Sequence, residues 1–196
     1  MRILMLGNSL TSANDLPQTL SRLAGAQVVA HTRGGARLAE QLNPDTRLGA
    51  STQQALRNER WDFVVLQESS NGPIVHRESF LRACEGLCAY VRTAGAEPVL
   101  FATWAYRADN PGLAHMGLSR EEMAAALTGA YREAAQAGGA LLADVGSRFL
   151  AHPDPDALYA PDGLHPSAAG SLLAAQTLAE AIRAASVQGR PATPER

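Results

Sequence analysis

Two short stretches far apart in this chain carry side chains that could do chemistry together. In Arg2 to Thr11 an apolar run breaks at Gly7 and delivers Asn8, Ser9 and Leu10. A parallel-sheet enzyme places a nucleophile at the carboxyl edge of its first strand in this way. In Asp162-Gly163-Leu164-His165-Pro166 an aspartate precedes a histidine by three residues on a turn. That spacing lets the carboxylate reach Nδ1 and fix the tautomer while Nε2 faces outward as a base. Such a base turns a serine hydroxyl into a nucleophile for acyl transfer.

Other readings of the same residues stand beside this one. Asn8, Ser9 and Thr11 are also what a helix start needs for its cap, and Asp162 and Ser167 suit a turn and a cap. Asp162 with His165, or His152 with Asp154, could ligate a divalent ion, but the chain has no HExxH, clustered histidines or CxxC, and no metal site is expected.

The elements that would position these groups follow from periodicity. Apolar runs at 2–6, 28–30, 61–66, 98–103 and 140–145 read as strands, and the continuous apolar run of the third, Phe63 to Leu66, suits burial on both faces. Helical spacing follows each: from Asp15-Leu16-Pro17 to Gly25, around Leu38 and Leu42, over 51–58, over 77–93, from the capping serine Ser119 to Gly138-Gly139, and over 167–184. Strands and helices that alternate with no repeat and no linker predict an α/β fold, a three-layer α/β/α sandwich on a parallel sheet of about five strands. The expected organisation is one domain over 1–184 and a polar tail over 185–196. Ligands bind such sheets beyond the carboxyl ends of the strands. That edge collects Ser9, the paired glycines Gly34-Gly35, the polar turn Gln67 to Gly72, and Trp104 and Tyr106, which either line a pocket or edge the core. The stretch 107–118 has no clear period and reads as a lid or a surface excursion.

Composition removes several alternatives. Every basic residue is arginine, and without lysine there is no Schiff base, no Ser-Lys dyad and no P-loop. A net charge of −2 gives no footprint for nucleic acid or an anionic membrane. The turn after the first strand lacks the GxGxxG of a dinucleotide fold, so no cofactor is expected. Cys84 and Cys88, four apart on a helix, read as small core residues. No signal peptide or membrane span is read at the amino end, so a cytoplasmic location is expected, or secretion if a leader has been removed. Oligomeric state is left open.

Taken together, Gly7-Asn8-Ser9-Leu10 and Asp162 to Pro166 resemble the first and last blocks of the SGNH hydrolase superfamily, the GDSL esterases and lipases, over about residues 2 to 184. The resemblance implies a flavodoxin-like sheet and hydrolysis of an ester by Ser9, His165 and Asp162. It also implies an oxyanion hole from the N–H groups of Ser9 and Gly35, or Gly34, and the amide of Asn71. Asn8 stands where the family's aspartate is usual. Ser69 and Gly72 replace the Gly and Asp of its third block, so Gln67-Glu68-Ser69-Ser70-Asn71 looks more like a carbohydrate-esterase variant and makes Gln67 a rival to Asn71 and a candidate for lining the substrate pocket. The substrate expected is a small ester, acetyl or carbohydrate-linked; the alternative is a non-catalytic module binding a small ligand or glycan on the same fold.

Overall fold

The computed structural model of the chain describes residues 1–187. Strands β1 (Arg2–Gly7), β2 (Gln27–Thr32), β3 (Phe63–Leu66), β4 (Glu97–Ala102) and β5 (Leu141–Asp144) form one parallel sheet in the order β2-β1-β3-β4-β5. Successive side chains of a strand point to opposite faces. Ile3 and Met5 therefore join Val65 and Phe101 on one side, while Leu4 and Leu6 join Val64, Leu66 and Leu100 on the other. In the central strands β1, β3 and β4 both faces are buried, so apolar side chains fill nearly every position and polar alternation is absent.

Helices fill the connections: α1 (Ser9–Ser12), α2 (Leu16–Ala24), α3 (Leu38–Leu42), α4 (Arg47–Asn58), α5 (Gly72–Val75), α6 (Arg77–Thr93), α7 (Pro111–Met116), α8 (Arg120–Gly138), α9 (Val145–Leu150) and α10 (Ala168–Val187). Leu16 and Leu20 of α2, Phe149 of α9, and Ala174, Leu178 and Ile182 of α10 cover the first face. Leu38 of α3, Leu56 of α4, Phe80, Leu87 and Val91 of α6 and Tyr131 of α8 cover the second. The α/β/α sandwich expected from the alternation is the fold observed.

The structure departs from expectation at several elements, the short helices α1, α5 and α9 among them, which occupy stretches not read as helical. Helix α4 starts at Arg47, earlier than 51, because the Thr46 hydroxyl accepts from the Gly49 N–H and caps it. The stretch 107–118 contains α7, capped by the Asn110 side chain on the Gly112 N–H and closed by Gly117 at φ +66°. The predicted tail falls mainly outside the described residues, and 185–187 form the last turn of α10. Cys84 and Cys88 are buried and unpaired in the second core, and burial pushes the Cys88 thiol up to about 11. Among the described residues no helix is long and apolar enough to cross a membrane.

Sheet order sets the place of the site. From β1 the chain passes to β2 on one side, and β3 then returns to the other side of β1. The crevice outside the carboxyl ends of β1 and β3 is the switch point at which such sheets hold ligands. Ser9 follows β1, and the Gln67 to Gly72 turn follows β3.

Candidate active site

Ser9 is the first residue of α1, and the cap of that helix is Asn8, in extended conformation, whose Oδ1 accepts from the Leu10 N–H at 3.0 Å. Capping is thus done by the neighbour, and the Ser9 hydroxyl lies 2.9 Å from Nε2 of His165. As first residue of a helix Ser9 has no intrahelical acceptor for its own N–H. The other side chain atom of Asn8, Nδ2, donates to the Ala36 carbonyl at 2.9 Å. It ties the Ser9 turn to the turn after β2.

His165 Nδ1 stands 2.6 Å from Asp162 Oδ2, and Asp162 Oδ1 accepts from the N–H groups of Leu164 and His165 at 3.0 and 2.9 Å. Burial alone pushes the Asp162 carboxyl up, but the hydrogen bonds from the His165 ring and the two N–H groups outweigh it, and the net shift is below the usual aspartate range. An ionised Asp162 requires a proton on Nδ1, which leaves Nε2 with its lone pair toward Ser9 Oγ. Side chains of His165 and Asp162 remain 38% and 51% exposed, so the pair opens to solvent.

The loop carrying this pair is fastened at several points. The Asn14 side chain donates to the Pro166 carbonyl and to Ser171 Oγ, both at 2.9 Å. Arg107 donates from its N–H to the Gly163 carbonyl at 2.8 Å and from its guanidinium to the Pro161 carbonyl at 3.1 Å. Asn110 Nδ2 donates to the Asp162 carbonyl at 2.8 Å. Arg107 and Asn110, the beginning of the stretch read as a lid or surface excursion, therefore brace the histidine loop. Asn14 and Asp15 both take left-handed backbone, φ +50° and +52°, which disfavours L side chains and occurs here between the serine helix and α2.

Three residues suggested for the pocket have other work. Gln67 is 1% exposed; its Oε1 accepts from the Asn8 N–H at 2.9 Å and from Thr11 Oγ1 at 2.8 Å, and its Nε2 donates to the Glu68 carbonyl. Its polar atoms are thus engaged in bracing the serine turn. Gly7 must be glycine for the same reason, since a Cβ there would come within 2.6 Å of Gln67 Oε1. Trp104, 2% exposed, stacks on Phe149 with ring centroids 4.1 Å apart and donates from Nε1 to the Leu164 carbonyl at 3.1 Å. It is a core residue that braces the histidine loop. Tyr106 is buried too, and only its hydroxyl reaches toward the third turn, 2.9 Å from Ser70 Oγ.

Gly35 sits at the exposed tip of the Arg33–Ala36 turn at φ +68°, a conformation open to glycine, and the Ala36 N–H closes the turn on the Arg33 carbonyl at 2.9 Å. Asn71 precedes α5; its carbonyl accepts from Ile74 and Val75, and its side chain makes no capping bond. That amide is left available, whereas the Gln67 amide is spent.

The sheet order, with helices on both faces and this serine at the switch point, defines the SGNH hydrolase fold. The chain belongs to the GDSL-like lipase/acylhydrolase family, whose profile matches residues 5–173, and is a hydrolase acting on ester bonds. It is similar to a candidate SGNH hydrolase from Slackia heliotrinireducens, 53% identical over 93% of this chain and 98% of that one, with a TM-score of 0.90. More distantly it shares its fold with a carbohydrate acetylesterase family member from Sinorhizobium meliloti, 22% identical over 94% of this chain and 98% of that one, TM-score 0.68. A candidate arylesterase from Agrobacterium tumefaciens is 22% identical over 93% and 98%, TM-score 0.69. A search of curated proteins returns no match.

Proposed function

We propose that the enzyme hydrolyses small acyl esters, acetyl groups on carbohydrate among them, through Ser9, His165 and Asp162. The observation that carries this is the unbroken line from Ser9 Oγ to His165 Nε2 at 2.9 Å and from His165 Nδ1 to Asp162 Oδ2 at 2.6 Å. His165 Nε2 takes the hydroxyl proton as Oγ bonds to the ester carbonyl carbon, and Asp162 stabilises the imidazolium so formed. The carbonyl oxygen becomes an oxyanion, to which the N–H groups of Ser9 and Gly35 and the side-chain amide of Asn71 donate. When the tetrahedral species collapses, His165 returns the proton to the leaving alcohol oxygen. Water then gives a proton to Nε2, attacks the acyl-enzyme, and releases the carboxylic acid with Ser9 restored.

Two things favour a small acyl group on a polar alcohol. The half-exposed His165 and Asp162 leave room for a hydrophilic leaving group in water. The shared fold includes a carbohydrate acetylesterase family member. Turnover of p-nitrophenyl esters of increasing chain length, beside acetylated sugars, tests the substrate; Ser9→Ala tests the mechanism. Activity should be highest on acetyl esters and vanish in Ser9→Ala, together with labelling by a fluorophosphonate. Near wild-type turnover in that variant refutes the role of Ser9.

A further inference from the structure

A carboxylate that no step above uses is the most completely buried charged group near the site. Glu68 is 0% exposed and so cannot touch substrate. Its Oε2 accepts from the Leu38 N–H at 3.1 Å and its Oε1 from the Ser69 N–H at 2.6 Å. Nε of Arg37 lies 3.8 Å from Oε1. Leu38 begins α3, and the first N–H groups of a helix have no partner within it. One carboxylate therefore fastens the turn after β2, which carries Gly35, to the turn after β3, which carries Asn71.

We infer that Glu68 is a positioning residue that sets the oxyanion donors Gly35 and Asn71 against Ser9, an inference that rests on the hydrolytic reading above. Its neighbour Gln67 grips the Ser9 turn through the Asn8 N–H, and Asn8 Nδ2 grips the Ala36 carbonyl two residues before Leu38. The result is a closed, buried circuit running from Asn8 to Ala36, along the chain to Leu38, across to Glu68, back one residue to Gln67 and across to Asn8. None of the three turns can shift without breaking a bond to another. Backbone at Gly72 closes over the circuit so tightly that a Cβ there would meet Glu68 Oε1 at 2.9 Å.

Charge explains the presence of Arg37. A lone buried carboxylate is costly, and beside a forming oxyanion it also opposes the reaction. The Arg37 guanidinium supplies the compensating charge. Its Nε and Nη2 are buried without a hydrogen-bond acceptor, so it acts on Glu68 as a charge and leaves both carboxylate oxygens to the two backbone N–H groups.

The test compares wild type, Glu68→Gln, Arg37→Met and the double variant in p-nitrophenyl acetate kinetics and in amide hydrogen exchange at Leu38 and Ser69. Glutamine keeps the size of the side chain and replaces one acceptor by an NH2. Displacement of donors by a fraction of an ångström to 1 Å predicts a fall in kcat of about 10- to 100-fold, with KM within about twofold of wild type. Exchange at both amides should accelerate. Arg37→Met, which strands the carboxylate, should lower kcat more than the double variant does, and this ordering holds as a test even if Glu68→Gln folds poorly. Faster exchange with unchanged kcat overturns the inference, as does unchanged exchange, or a double variant no better than Arg37→Met. A wild type that hydrolyses no ester overturns the reading of Ser9, whereas an active wild type with an equally active Glu68→Gln overturns this inference alone.

Discussion

The side chain of Asn14 donates to the carbonyl of Pro166 at 2.9 Å, so the element that follows the Ser9 helix is bonded to the residue that follows His165. The bond is held by an asparagine in left-handed backbone. Removing it should loosen the alignment of Ser9 with His165. Asn14→Ala loses the bonds to Pro166 and Ser171 and puts at positive φ a residue that adopts left-handed backbone less readily than asparagine, for a loss of about 2–3 kcal/mol. Asn14→Gly accepts the backbone and should lose only about 1–2 kcal/mol. Both should lower kcat about tenfold or more. Chemical denaturation with steady-state kinetics separates the two effects, and equal stability of the two variants would discount the backbone contribution.

Asp162→Asn is expected to fold and to lose activity by about a thousand- to ten-thousand-fold. The amide oxygen can still accept from Leu164 and His165, but its NH2 then faces Nδ1 and selects the tautomer with a proton on Nε2, which cannot take one from Ser9. A single-turnover assay should show acylation itself slowed.

Gln67→Leu should act on stability before it acts on chemistry. It strands the buried Asn8 N–H and Thr11 hydroxyl, at about 1–3 kcal/mol for each group left unpaired. If Gln67 were an oxyanion donor, the variant would instead keep its melting temperature and lose about a hundredfold or more in kcat. Thermal denaturation and kinetics on the same preparation decide between these.

The depressed Asp162 carboxyl makes a prediction in pH. Its folded value lies below the ordinary 3.8, so its contribution to stability is present above that value and is lost as pH falls through the lower, folded one. The side chain is half exposed, so solvent screening keeps the effect small. The stability difference between wild type and Asp162→Asn should hold constant from neutral pH down to about 5 and shrink toward zero in stronger acid. Urea titrations at several pH values measure it; a difference that persists in strong acid would mean that the substitution acts through packing.

Much of this was legible in the residues. Strands with no polar alternation announced a sheet covered on both faces, and Asp162-x-x-His165 carried its own geometry because three residues of turn suffice to close it. What stayed hidden was the destination of side chains whose partners lie far along the chain. Gln67 and Trp104 look like pocket residues because polar and aromatic groups at strand ends often are. Their burial depends on Asn8, 59 positions from Gln67, and on Leu164, 60 positions from Trp104. Helix α7 was invisible for a different reason: six residues are too few to establish a helical period, and only its cap signals, Asn110-Pro111 and Gly117, mark it.

The bond between Ser9 and His165 joins residues 156 positions apart. A ribosome therefore delivers Ser9 well before His165. On the proposed mechanism, a chain interrupted anywhere in α8 or β5 would carry Ser9, Gln67 and the turns of Gly35 and Asn71, yet have nothing to remove the proton. Reactivity toward an acyl group or a phosphonate would then report that synthesis had passed His165, and a chain stopped short of it would be harmless to the esters around it.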